Sequence, residues 1–293
     1  MWDATVSVRT ERMEVGMHFA LATLATLALT CNAYQLCGTA PMRQGTAFSE
    51  VTPSHWPWNA AIHTIAKFRP EQYCSGALIN DRHVVTAAHC VDKRRSDGLR
   101  VHLGSWRRNV LDEGEVALPV KELCIHQNYS GSANDIAIIK LAEPVEFTSR
   151  IRPICLPRRN EHLPKDSEAY TTGWSARKGK PTRRTRRTLQ ELKLTLMNKM
   201  KCVNSFDVIL SEDVLCAPHD YGSLCEGDSG APVMQNVGGQ WFLQGVLSGG
   251  PATCGDPTLP MVFTRVASFV DNFITAYLKA RTESQKVAIC TLK

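Results

Sequence analysis

Past its first 33 residues, this 293-residue chain contains no apolar run long enough to cross a bilayer as a helix, so no helical membrane span is expected in its body. Its eleven cysteines form no paired Cys-x-x-Cys spacings, which leaves disulfides in an oxidising compartment as a better reading than metal sites. No stretch interleaves aromatic with basic residues in the manner of a base-stacking surface, so nucleic acid is not an expected partner. The rest of the composition is ordinary for a soluble globular protein: 43% hydrophobic, 21% charged, net charge +6. The length suits one large domain or two small ones with a sizeable core.

Near the start, residues His18 to Thr30 form a short apolar run after Arg9 and Arg12, and Cys31-Asn32-Ala33 ends it with small residues. This is the pattern of a secretory signal cut near Ala33, with Met13 or Met17 as alternative starts, and it implies a secreted, extracellular protein. Signal removal takes Cys31 and leaves ten cysteines, an even number.

The chemistry centres on Cys225-Glu226-Gly227-Asp228-Ser229-Gly230-Ala231-Pro232. A serine hydroxyl needs a base to take its proton and donors to hold the charge that develops on the attacked oxygen. Gly227 has no side chain to block a substrate carbonyl, so its N–H and that of Ser229 can point together at one oxygen. Alone, a Gly-Asp-Ser-Gly string is more often a surface turn. Two other stretches change that balance: Val84-Val85-Thr86-Ala87-Ala88-His89-Cys90, and Asn134-Asp135-Ile136-Ala137-Ile138-Ile139-Lys140-Leu141.

Together the three motifs resemble the chymotrypsin-like serine proteases, in that family's chain order of His, Asp, Ser, over about residues 45 to 280. The resemblance implies that His89 is the general base and then acid, that Asp135 fixes its tautomer and supports the imidazolium, and that Ser229 forms the acyl-enzyme. It implies an oxyanion hole at Gly227 and Ser229, a protein or peptide substrate, and no metal or organic cofactor.

Short apolar runs broken by Gly, Pro, Asn and Asp argue for an all-β barrel or sandwich. The resemblance sharpens this to two six-stranded antiparallel β-barrels with a C-terminal helix. Helical spacing of Phe269, Val270, Phe273, Ile274, Tyr277 and Leu278 places that helix at Ser268 to Ala280. The implied organisation is a signal at 1–33, a short propeptide at 34–44, the protease domain at 45–280 and an extra tail at 281–293. By the same resemblance Cys74 pairs with Cys90, Cys202 with Cys216, Cys225 with Cys254, and Cys37 with Cys155, tethering the propeptide. Cys124 and Cys290 are left to bridge or to stay as free thiols. A bridge common in the family is missing, with Ala169 and Gln235 at its two ends.

Family members are cut after a basic residue to free an Ile or Val whose ammonium pairs with the aspartate before the nucleophile, here Asp228. This chain has Arg43-Gln44-Gly45-Thr46 instead. An activating protease cutting after Arg43 frees Gln44, while the aligned position is Gly45, which lacks the apolar side chain and forfeits on the order of 1.5 to 3 kcal/mol of burial. Arg43 reads equally as an ordinary loop residue. That missing end keeps a second class of function open, a non-catalytic homologue that binds or regulates.

The pocket floor, six residues before the nucleophile, is Ser223 rather than a carboxylate, which disfavours Arg and Lys. Ser248-Gly249-Gly250 matches the wall that pairs with substrate, with Gly249 in place of a tryptophan and Gly250 leaving the mouth open. Leu224 and Met261 add apolar volume, so cleavage is expected after Ala, Val, Leu or Met. Met261 turned away into the core would instead restore room for aromatic residues. From Arg177 to Arg187 run seven basic residues and no acidic one, read as a solvated surface loop, an acidic-glycan site or a cleavage site for other proteases. Ser105 replaces the first ligand of the family's calcium loop, so Asp112, Glu113 and Glu115 read as surface charge.

Overall fold

The computed structural model describes residues 37–40, 47–52, 54–65, 71–131, 133–161, 163, 167–175, 188–197, 199–206, 213–251, 253–256 and 258–293. The signal, Arg43, Gly45 and the basic segment 177–187 lie outside the described residues.

Strand β1 (Phe48–Glu50) precedes a first barrel of β2 (Asn59–Thr64), β3 (Glu71–Leu78), β4 (His83–Thr86), β5 (Leu99–Leu103), β6 (Val116–His126) and β7 (Ala137–Leu141). These run in the order β6-β5-β2-β3-β4-β7, and β7 pairs back onto β6 to close the ring. In β5 the side chains of Leu99, Val101 and Leu103 are buried while Arg100 and His102 are less so, the period-two pattern of a half-buried strand. Each such Leu or Val contributes about 1.5–3 kcal/mol of apolar burial.

The second half contains β8 (Glu168–Gly173), β9 (Gln190–Thr195), β10 (Val214–Ala217), β11 (Pro232–Val237), β12 (Gln240–Gly249) and β13 (Met261–Arg265). Their order is β9-β8-β11-β12-β13-β10, with β1 added outside β9. This sheet is a half-barrel rather than a closed ring. Its edges meet beyond β9 at one backbone hydrogen bond, Met197 N to Cys216 O at 2.8 Å, beside the Cys202–Cys216 disulfide.

A helical run follows, with a wide turn at Val270–Thr275 and an α turn at Ala276–Lys279. Residues 281–293 are more than a tail. A short helix, Glu283–Val287, opens on a capping box of Thr282 and Gln285, and β14 (Cys290–Leu292) then pairs with β6 as an added strand. The Cys124–Cys290 disulfide links the two, and Lys286 Nζ lies 2.8 Å from both oxygens of Glu122.

An aromatic cluster joins the halves. Trp56 meets Trp241 edge-on at 4.7 Å between centroids, and Trp58 and Tyr170 flank them at 5.8 and 6.0 Å from Trp56. The indole N–H of Trp58 lies 2.8 Å from Met234 Sδ. This packing fixes the segment leading into β2 of the first barrel against β8, β11 and β12 of the second half.

Candidate active site

Strand β4 ends at Thr86, and the chain turns through Ala87 into a single helical turn, Ala88–Cys90. The Cys74–Cys90 disulfide ties that turn to β3, so His89 is held at the rim of the first barrel. Asp135 sits just ahead of β7, after Asn134 in the left-handed conformation at φ 55° that asparagine tolerates. Its carboxylate is 1% exposed.

Among the described residues, that carboxylate accepts three hydrogen bonds. Oδ2 takes His89 Nδ1–H at 2.8 Å and the Ser248 hydroxyl at 2.6 Å, and Oδ1 takes the His89 backbone N–H at 2.9 Å. Thr264 Oγ1 donates to the Asp135 carbonyl at 2.8 Å. Ser248 lies near the end of β12 and Thr264 in β13, so both halves orient this aspartate. With Nδ1 donating to a buried carboxylate, Nε2 of His89 keeps its lone pair.

Ser229 stands in a turn whose neighbouring amides are satisfied: Asp228 N to Cys225 O at 3.0 Å, Gly230 N to Leu247 O at 2.8 Å, and Ala231 N to Asp228 O at 2.9 Å. Among the described residues, Gly227 N and Ser229 N donate to nothing. Gly227 has φ +95°, a left-handed conformation that glycine adopts without a side-chain penalty. Cys90 Sγ lies 3.6 Å from Ser229 O and 3.9 Å from His89 Nε2, so Ser229 and His89 both pack around the Cys74–Cys90 disulfide.

Asp228 is wholly buried beneath this turn. Its Oδ1 accepts from Ser175 N at 2.9 Å and its Oδ2 from Cys225 N at 3.1 Å. A Cβ at Gly173 would lie 2.6 Å from the carboxyl carbon, so only glycine lets the carboxylate seat here. Burial pushes its pKa up to about 7, against the opposite pull of the Ser175 and Cys225 amides and the Arg108 guanidinium.

Six residues before Ser229, Ser223 is 2% exposed and donates its hydroxyl to Leu224 O at 3.0 Å. Met261 is 1% exposed, and its sulfur lies 3.5 Å from Leu224 N. Gly249 faces open space, and the nearest atom to a Cβ on Gly250 would be Met261 Cα at 3.9 Å. The Cys225–Cys254 disulfide ties the segment before Ser229 to the one that follows Gly250.

The profile of the trypsin family matches residues 46–273. The chain belongs to the trypsin family of serine proteases. Chymotrypsin-C of Mus musculus is 34% identical over 231 residues, which are 76% of this chain and 84% of that protein. Vitamin K-dependent protein C of Mus musculus is 35% identical over 240 residues, 78% of this chain and 51% of that protein.

Two features of this trypsin-family chain differ from what its residues suggest one at a time. Asp112 and Glu115 are not surface charge. Asp112 is 6% exposed and accepts the Trp106 and Arg107 amides at 2.7 Å each and Arg107 Nε at 2.5 Å, which folds segment 105–115 on itself. Glu115 accepts from Asp112 N at 3.0 Å and lies 2.5 Å from His102 Nδ1. The loop so tied also carries a residue that no sequence motif marks. Arg108 donates from Nη1 to Ser175 Oγ at 2.9 Å and from Nη2 to Gln72 O at 3.1 Å. Its Nη2 lies 3.2 Å from where a Gly227 Cβ would be. The segment ahead of the domain is fixed as well. Cys37 is bonded to Cys155, and Gly38 exchanges backbone hydrogen bonds with Pro153 and Trp241.

Proposed function

We propose that Ser229 is the acyl-forming nucleophile of this endopeptidase, with His89 as its base and Asp135 as the group that holds His89 in the reactive tautomer. The observation that carries this reading is the buried Asp135 carboxylate on His89 Nδ1, which leaves Nε2 free to take a proton. The two unpaired amides at Gly227 and Ser229 are donors without protein acceptors, as a site for a developing oxyanion requires. Among the described residues Ser229 Oγ makes no hydrogen bond, and substrate closing over the groove would bring it onto Nε2. Secretion is part of the reading, supported by five disulfides, which persist in oxidising compartments.

The test is labelling of the secreted protein by a fluorophosphonate, before and after limited trypsin treatment, with Ser229→Ala as control. The parent is expected to label and the alanine variant to stay blank. Folded parent protein that labels in neither form would overturn the assignment.

The substrate residue ahead of the scissile bond is proposed to be small to medium and apolar, such as Ala, Val, Leu or Met. Ser223 offers no charge to an Arg or Lys, while Leu224 and Met261, whose sulfur lies 3.5 Å from Leu224 N, would add apolar bulk to the pocket. Met261→Gly should therefore enlarge the cavity. In a series of peptide amides differing at that residue, the Phe-to-Ala ratio of kcat/KM is expected to rise by about 10- to 200-fold, the range one or more methylene-sized changes command in a hydrophobic pocket. An unchanged ratio would mean that Met261 does not limit the pocket.

A further inference from the structure

Asp228 presents a problem of electrostatics that the sequence does not solve. A carboxylate with no solvent exposure needs a cation or several donors to stay charged, and the Arg43-Gln44-Gly45 stretch offers no apolar residue to seat a new amino terminus. We propose that Arg108 stands in for that amino terminus, so that the uncut chain already holds its oxyanion turn in working form. The inference rests on the serine endopeptidase reading above.

Four observations support it. First, Arg108 is coupled to the aspartate through one residue: Nη1 binds Ser175 Oγ at 2.9 Å, and Ser175 N binds Asp228 Oδ1 at 2.9 Å. Second, the guanidinium lies against the turn itself, with Nη2 3.2 Å from the position of a Gly227 Cβ, and is anchored across the groove on Gln72 O at 3.1 Å. Third, the loop that presents it is held at both ends. Asp112 folds it from within, while Trp106 O accepts from Trp174 Nε1 at 3.1 Å and from Leu189 N at 2.8 Å. Fourth, among the described residues the amides of Gly227 and Ser229 are both unpaired, and the Asp228 carboxylate is seated directly against Gly173. A planar guanidinium on two acceptors is well suited to this place because it keeps its charge when half-buried.

Arg108 is thus a positioning residue: it touches neither substrate nor reacting atoms, and its effect passes through Ser175, Asp228 and the Gly227 amide. The experiment uses the full chain carrying Arg43→Gln, confirmed uncut by intact mass, and measures the second-order rate of fluorophosphonate labelling. The uncut parent is expected to label. Arg108→Met should slow it by about tenfold to a hundredfold, approaching the loss that follows removal of an oxyanion donor. Arg108→Lys, which keeps the charge, should recover most of that loss, whereas a purely steric role would favour methionine.

Equal rates for Arg108→Met and the parent would overturn the proposal, as would Arg108→Lys as slow as Arg108→Met. Labelling confined to chain cut at Arg43 would overturn it too, while leaving the protease reading intact. No labelling of cut or uncut parent would instead remove the protease reading and this inference together.

Discussion

Asp135→Asn is expected to lower turnover by about 10⁴, the size this change has in serine proteases built the same way, while leaving the fold nearly as stable. The reason lies in how many donors the carboxylate serves. His89 N–H faces Oδ1, and both His89 Nδ1–H and the Ser248 hydroxyl face Oδ2. An asparagine can keep its oxygen on the fixed backbone N–H only by turning its NH₂ toward His89 Nδ1 and Ser248 Oγ. The serine hydroxyl can rotate to accept. Imidazole can accept only by moving its proton to Nε2, and then the atom facing Ser229 is a donor rather than a base. Every buried polar group stays paired, so little stability is lost, yet the reactive tautomer is gone. Steady-state hydrolysis of a peptide amide, corrected for active sites, together with thermal unfolding checks both halves. Turnover within tenfold of the parent would take Asp135 out of the mechanism, and a large drop in melting temperature would mean that the asparagine had not found this arrangement.

The parts of this site that were legible beforehand are those whose geometry is local. Val84 to Cys90 spells out a strand, a turn and a histidine beside a cysteine, and the glycines around Ser229 mark a turn that side chains would block. Contacts between distant segments were less legible. Asp112 and Glu115 look like solvent charge because nothing nearby in sequence shows that the Trp106 and Arg107 amides will turn inward to meet them. Cys124 and Cys290 could be listed only as a pair left over, since their bridge spans 166 residues and depends on β14 adding to β6. Arg108 is the extreme case. It follows Arg107 directly, but one guanidinium turns to Asp112 and the other crosses to Ser175, and only the folded loop separates their roles. Met261 falls between. Its volume was plain from its identity, while its direction, with sulfur against Leu224 N, comes from the register that pairs it with Ala217 across β10 and β13.

Gly230→Ala is expected to be among the most damaging single changes in the chain, on the order of 3–5 kcal/mol, with activity lost alongside stability. Gly230 has φ +81°, a conformation that costs an L-residue roughly 1–2 kcal/mol before any contact is considered. A Cβ there would lie 2.2 Å from Ser75 O, 2.3 Å from Thr86 Oγ1 and 3.2 Å from Ala87 N. The first of these is a backbone carbonyl in β3 and cannot rotate aside. It also accepts the Thr86 hydroxyl at 2.7 Å, while Ser75 N donates to Ser229 O at 2.7 Å. The new methyl group would therefore drive apart the hydrogen bonds that dock the Ser229 turn onto the first barrel, moving Ser229 away from His89. Gly238→Ala is the matched control: its φ is +60°, but a Cβ there would meet nothing within 4 Å. That change should cost only the conformational term, about 1 kcal/mol, and leave labelling of Ser229 intact. Urea unfolding of both variants in a Ser229→Ala background avoids self-digestion, and fluorophosphonate labelling in the native background reads the site. If the two alanines proved equally mild, the close approach of the Ser229 turn to β3 and β4 would not be what places the nucleophile, and its alignment with His89 would have to come from the second barrel alone.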